Sequence, residues 1–178
     1  VSVAQVGNRG VIAFTTGYLD LLCHDGRAFV DDPWQSLLRL REEEPRHPLA
    51  NIAADDISTA FNCFTRMLTG MGLGYTAPGG HNLLALTPAG TLKPTLSLPL
   101  TMQPAIAAMA GGHDTLVLDF IGLNGFSARE VVANLAPRWP GLRAQRIGFP
   151  DMDSGAEVYA EVLSRALEVP ATRLRLAE

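Results

Sequence analysis

Two runs of this chain combine residue types that could hold an anion or tune a redox group. The first is Phe14-Thr15-Thr16-Gly17-Tyr18-Leu19-Asp20-Leu21-Leu22. Two hydroxyls and a glycine sit where a strand-like stretch, Val11–Phe14, passes into a segment, Tyr18–Leu22, that can begin a helix. Small residues at such a passage permit close approach, and backbone N–H and hydroxyl donors can meet a cofactor pyrophosphate. The plainer alternative is an N-cap with its first helical turn. The second run, Asn82 to Thr95, brings several threonines together with Lys93, the only lysine in the chain. An ammonium on a β-ribbon can meet a phosphate or a cofactor carbonyl as a point charge, and the plainer alternative is a solvated lysine on an exposed hairpin. Thr15, Thr16, Gly17 and Lys93 are therefore the candidate cofactor-binding residues. No catalytic residue and no metal ligand is singled out.

Other constellations carry less. Gly70-Met71-Gly72-Leu73-Gly74 has glycines at dinucleotide-loop spacing, but Tyr75 follows and the run ends a helix rather than opening one. His24, His47, His81 and His113 lie in turns or at element edges without the spacing of a helical metal pair. Asp151 and Asp153 read as solvated charges at a helix start. Ser127 with His113 and Asp114 lacks a nucleophile elbow, and an N-cap role accounts for Ser127.

The elements that must position these residues follow from periodicity. Val1–Val6 reads as a strand, with a turn at Asn8–Gly10. Asp32 caps a helix with Pro33 in its first turn, ending in Glu42–Glu44. Asp55 or Asp56 can cap a second helix to about Thr69, striped by Ile57, Ala60, Phe61, Phe64, Met67 and Leu68. Asn82–Leu86 and Thr91–Leu98 form a hairpin around Pro88-Ala89-Gly90, and Gln103–Ala110 is helical. Thr115–Ile121 is a continuous apolar run, as in a strand buried on both faces. Ser127 caps a helix with Glu130 three residues on, Trp139-Pro140-Gly141 stops it near Arg138, and Leu142–Phe149 then Gly155–Leu167 give another strand and helix. The fold class expected is α/β, a mixed sheet with a parallel βαβ unit at the C-terminal end and a β-hairpin insertion.

Composition narrows the function. The 178 residues carry 14 basic and 18 acidic side chains, a net charge of −4 without a basic cluster, so nucleic acid is not an expected partner. Cys23 and Cys63 lack framework spacing and read as reduced, buried thiols of a cytosolic protein. No run of about 18 apolar residues is present, so no direct membrane insertion is expected. No signal peptide is visible, and the chain opens without Met in a strand-like run, as expected for a segment from inside a longer fold.

The two runs resemble the anaerobic glycerol-3-phosphate dehydrogenase B-subunit family. The matching residues are TTGYLDLL at Thr15–Leu22, RHPL at Arg46–Leu49, LTPAGTLKPTLSLPLTM at Leu86–Met102 and LVLDFIGLNGFSAREVVANL at Leu116–Leu135. Tyr18 stands where the family motif commonly has Ser. The resemblance implies a flavoprotein subunit of the two-dinucleotide-binding-domain kind, carrying FMN or FAD. Residues 1–30 would be a remnant of its flavin-binding domain and residues 31–178 a substrate-side or cap α/β domain. The family's Gly-rich fingerprint and C-terminal flavin-binding stretch have no counterpart here, so this fragment is expected to bind no flavin alone. The implied partners are a catalytic flavin subunit and a membrane-associated iron–sulfur subunit. The implied activity is oxidation of a small-molecule substrate, glycerol 3-phosphate, to dihydroxyacetone phosphate with electrons passed to quinone. The implied location is cytoplasmic, at the inner face of the membrane through the partner subunits. The alternative from another class is a non-catalytic α/β interaction module that docks a partner redox subunit.

Overall fold

The computed structural model describes residues 16–152 and 157–178. The chain divides into two compact units, one comprising Val1–Ala85 and Leu92–Ile106, the other Leu86–Thr91 and Ala107–Glu178. The expected strand at Val1–Val6, the turn at Asn8–Gly10 and the run Val11–Phe14 lie outside the described residues, as do Thr15 and Asp153.

In the first unit, helix α1 (Pro33–Glu43) begins where Pro33 presets φ and the Asp32 carboxylate accepts from the N–H groups of Trp34 and Gln35. Helix α2 (Ala54–Gly70) starts at Ala53 without a side-chain cap. Asp55 and Asp56 lie inside its first turn, where their charge favours the positive helix end. Its expected glycine stop is present: Gly72 has a φ of +83°, and the Leu73 N–H returns to the Leu68 carbonyl at 2.9 Å.

Strands β1 (Leu83–Leu86) and β2 (Leu92–Thr95) form the expected antiparallel hairpin. The ladder stops at Thr95, but Leu96, Ser97 and Leu98 continue buried, because other backbone takes over their hydrogen bonds. Leu19 bridges Ser97 antiparallel, and the Thr76 N–H donates to the Leu98 carbonyl at 2.9 Å. Tyr18, Ala85 and Leu98 form a buried cluster with Leu83, Met102 and Ile106 against it. Ile106 belongs to helix α3 (Gln103–Ala110), which has the expected bounds.

The helix expected from Tyr18 to Leu22 does not form. The Leu19 N–H donates to the Ser97 carbonyl at 2.8 Å, and the Leu19 carbonyl accepts from the Ser97 N–H at 3.1 Å. A five-residue run is too short to repay helix nucleation against such pairing. Thr16 and Gly17 therefore do not open a helix.

In the second unit, β3 (Thr115–Phe120) and β4 (Leu142–Ile147) are parallel, in register from Thr115 opposite Leu142 to Phe120 opposite Ile147. Helix α4 (Ala128–Leu135) connects them; the Ser127 hydroxyl caps it by accepting from the Glu130 N–H at 3.3 Å. This is the expected βαβ unit. Among the described residues the hairpin and the parallel pair are two separate two-stranded sheets rather than one mixed sheet. Nor is β3 buried on both faces: Leu116 and Leu118 are 48% and 44% exposed. A two-stranded sheet with one crossover helix leaves one face uncovered.

Asp119 is buried on β3, and the Arg146 guanidinium directly opposite reaches its Oδ2 at 2.8 Å. Trp139, also buried, donates its indole N–H to the His113 carbonyl at 2.8 Å. Gly155 and Ala156, where the next helix is expected to start, lie outside the described residues; Val158 is extended and bridges Leu123, and α5 spans Ala160–Ala166. A further helix, α6 (Pro170–Ala177), was not expected, although Pro170 stands in its first turn.

Candidate functional site

Residues of the two runs that stand apart in sequence meet in the first unit. Several contacts join these segments and their flanks. The Leu19–Ser97 bridge aligns the backbones. The Thr95 hydroxyl donates to the Leu19 carbonyl at 3.1 Å. The Asn82 side-chain amide donates to the Leu22 and Val30 carbonyls, each at 2.8 Å. The Lys93 ammonium lies 2.5 Å from Asp20 Oδ2. Strand β2 thus presents Lys93 to the Thr16–Leu22 segment because Leu19 pairs just beyond the end of the ladder.

The local chemistry is a paired cation beside an aromatic face. Lys93 Nζ lies 6.0 Å from the centre of the Tyr18 ring. The Lys93 and Asp20 side chains are 37% and 31% exposed. Lys93 is thus neither free nor merely solvated: one of its three N–H donors is engaged by Asp20. Burial pushes the Cys23 thiol up to about 11, with the Asp20 charge and a hydrogen bond to Asp20 adding to it and Lys93 opposing it. Burial also raises the Tyr18 phenol.

Gly17 has a φ of +76° and its carbonyl accepts from the Tyr75 hydroxyl at 2.8 Å. The Thr16 hydroxyl accepts from the Tyr18 N–H at 3.4 Å. A glycine is required here for its positive φ, since L side chains resist that region. Thr16, Gly17 and Lys93 belong to one unit and to connected segments; Thr15 lies outside the described residues.

Sequence inspection missed Asp20, Tyr18 and Cys23 as members of this cluster. The available signal was Asp20 itself: an acidic residue between leucines in one run, and a single lysine in the other, whose pairing spans 73 positions.

The other constellations resolve as structure. His24 Nδ1 accepts from the Gly26 N–H, His47 Nδ1 from the Leu49 N–H, and His81 pairs with Asp31 at 3.0 Å. Asp151 pairs with Arg175 at 2.5 Å. No group of three or more His, Cys, Asp or Glu able to hold a metal occurs among the described residues. No helix among them is long and apolar enough to cross a membrane.

Fold and site together define an α/β chain whose first unit holds a hairpin lysine ion-paired to a neighbouring loop and whose second unit is a parallel βαβ unit. Comparison with known proteins adds a name for its relatives. An alignment of 180 residues, covering 96% of this chain, is 28% identical to the anaerobic glycerol-3-phosphate dehydrogenase B subunit of Yersinia pseudotuberculosis serotype I. Proteins of the same name from Aliivibrio fischeri and Vibrio cholerae serotype O1 are 32% and 26% identical over 53% and 66% of the chain. The resemblance carried by the TTGYLDLL and LTPAGTLKPT runs is thereby borne out. The chain spans 42% of the length of the Yersinia relative. No family model and no solved structure matches it.

Proposed function

We propose that this chain is part of the B subunit of a flavin-dependent anaerobic glycerol-3-phosphate dehydrogenase, which oxidises glycerol 3-phosphate to dihydroxyacetone phosphate and passes electrons to quinone. The observation that carries this is the convergence of the two family-like runs on one another through Asp20 and Lys93, together with the similarity over 96% of the chain.

The donors suit the ring end of a flavin better than its pyrophosphate. Lys93 keeps two N–H donors beyond the one engaged by Asp20, and an ammonium can meet a ring carbonyl. Thr16 and Gly17 lack the helix start that would favour a phosphate. In this proposal Lys93 faces the FMN or FAD ring, and the small residues Thr15, Thr16 and Gly17 let the cofactor approach the loop. The bound flavin would supply the two-electron chemistry. The chain's own residues would hold the ring and set the charge beside it.

A catalytic flavin subunit and a membrane-associated iron–sulfur subunit would be the partners, which would bring a cytoplasmic protein to the inner face of the membrane. Residues 1–30 would belong to the flavin-binding domain and 31–178 to the substrate side. The two-dinucleotide-binding-domain architecture is part of the same proposal.

The non-catalytic docking alternative draws on Leu116 and Leu118, apolar side chains left exposed on β3. Titration with FAD and FMN separates the two. The expected result is retained flavin in the intact subunit and no saturable binding at low micromolar flavin by residues 1–178 alone. No flavin in either would favour the docking module. Tight binding by the isolated chain would mean that the cofactor site lies wholly within it.

A further inference from the structure

We infer that Asp20 is the charge partner of Lys93, so that the pair, rather than the lysine alone, sets the charge presented to the flavin; this rests on the proposed function above. Three observations carry it. The carboxylate lies 2.5 Å from the ammonium. The contact is fixed from both sides by backbone, since Leu19 precedes Asp20 and bridges Ser97, while Lys93 lies in the β2 ladder. The Tyr18 ring, 6.0 Å from Nζ, offers the cation a second favourable surface. A long flexible side chain that would otherwise sample many rotamers is thereby held in one region.

The electrostatic consequence follows from Coulomb's law. A lone ammonium beside the ring would favour the electron-rich reduced cofactor and raise its potential. A carboxylate in contact with that ammonium offsets much of its field. Removing Asp20 should therefore unmask the cation, and removing Lys93 should leave the carboxylate uncompensated. The two substitutions act in opposite directions, which a loss of packing alone would not produce.

Cys23 supplies a second readout that does not depend on flavin. Its thiol is raised to about 11 by burial and by Asp20, with Lys93 opposing. Asp20→Asn should lower that value and speed thiol alkylation at a fixed mildly alkaline pH. Lys93→Met should raise it and slow alkylation. Cys63 is exposed and Cys23 only half-buried, where both were expected to be buried, so a Cys63→Ser background keeps the signal specific.

The test measures the flavin reduction potential of the intact subunit carrying Asp20→Asn, Lys93→Met or both, with Cys23 alkylation rates measured on the same proteins. A higher potential for Asp20→Asn, a lower one for Lys93→Met and opposite changes in alkylation rate would support the inference. A potential that falls in Lys93→Met but does not move in Asp20→Asn would overturn the pairing role while leaving Lys93 at the flavin. No change of potential in either variant, with alkylation still responding, would overturn the inference by placing the pair away from the cofactor; the proposed flavin site would then fail with it.

Discussion

Gly90→Val should destabilise the second unit by about 2–5 kcal/mol, the sum of forcing a side chain into the left-handed region and overpacking it against backbone. Gly90 turns the hairpin with a φ of +73°. A Cβ placed there would lie 2.6 Å from Val131 Cα and 2.8 Å from the Val131 carbonyl oxygen. Neither neighbour is the end of a flexible side chain, so helix α4 itself would have to move. The Ala89 carbonyl also accepts from the Asn134 side-chain amide at 2.7 Å, which ties the turn to the same helix. Gly26 is the natural control. Its φ is +87°, yet none of the described residues lies within 4 Å of its would-be Cβ. Gly26→Ala should therefore cost only the backbone term, roughly 1 kcal/mol. Urea unfolding of both variants measures the difference, and equal losses would show that the Gly90 contact with α4 is not made.

Trp139→Ala should cost about 3–5 kcal/mol. The indole is 2% exposed, and its N–H donates to the His113 carbonyl, so truncation both opens a cavity and removes a hydrogen-bond donor. Trp139→Phe keeps most of the volume and should recover much of the loss. The remainder reports the hydrogen bond. Thermal unfolding followed by near-ultraviolet circular dichroism measures this, and a Trp139→Ala protein as stable as the parent would contradict the packing described.

These two residues also show what was legible in the sequence. Local signals predicted well: Asp32-Pro33, Ser127 with Glu130, Trp139-Pro140-Gly141 and the Pro88-Ala89-Gly90 turn each act through neighbours a few positions away. The parallel pair was legible because β3 and β4 flank a strong helix. Tyr18–Leu22 misled because its partner, Ser97, is remote, and an apolar run of that length fits a helix start or an extended segment equally. Leu116 and Leu118 misled because apolar residues show a preference for burial, not whether anything covers them, and the run they belong to is interrupted by Asp119. Within the site, Lys93 drew notice by its uniqueness, whereas Asp20 gained meaning only once the hairpin brought a cation beside it.

The proposal that this chain is part of a flavin-dependent glycerol-3-phosphate dehydrogenase is tested most directly by anaerobic spectroscopy of the intact subunit with its proposed partner subunits. Glycerol 3-phosphate is added and the visible absorption is followed without any other reductant. The account predicts flavin bands in the purified complex that bleach on addition of glycerol 3-phosphate and return when a quinone is supplied. A complex in which the flavin of this subunit does not bleach, while an artificial reductant such as dithionite reduces it fully, would contradict the account and leave this chain outside the route of the electrons.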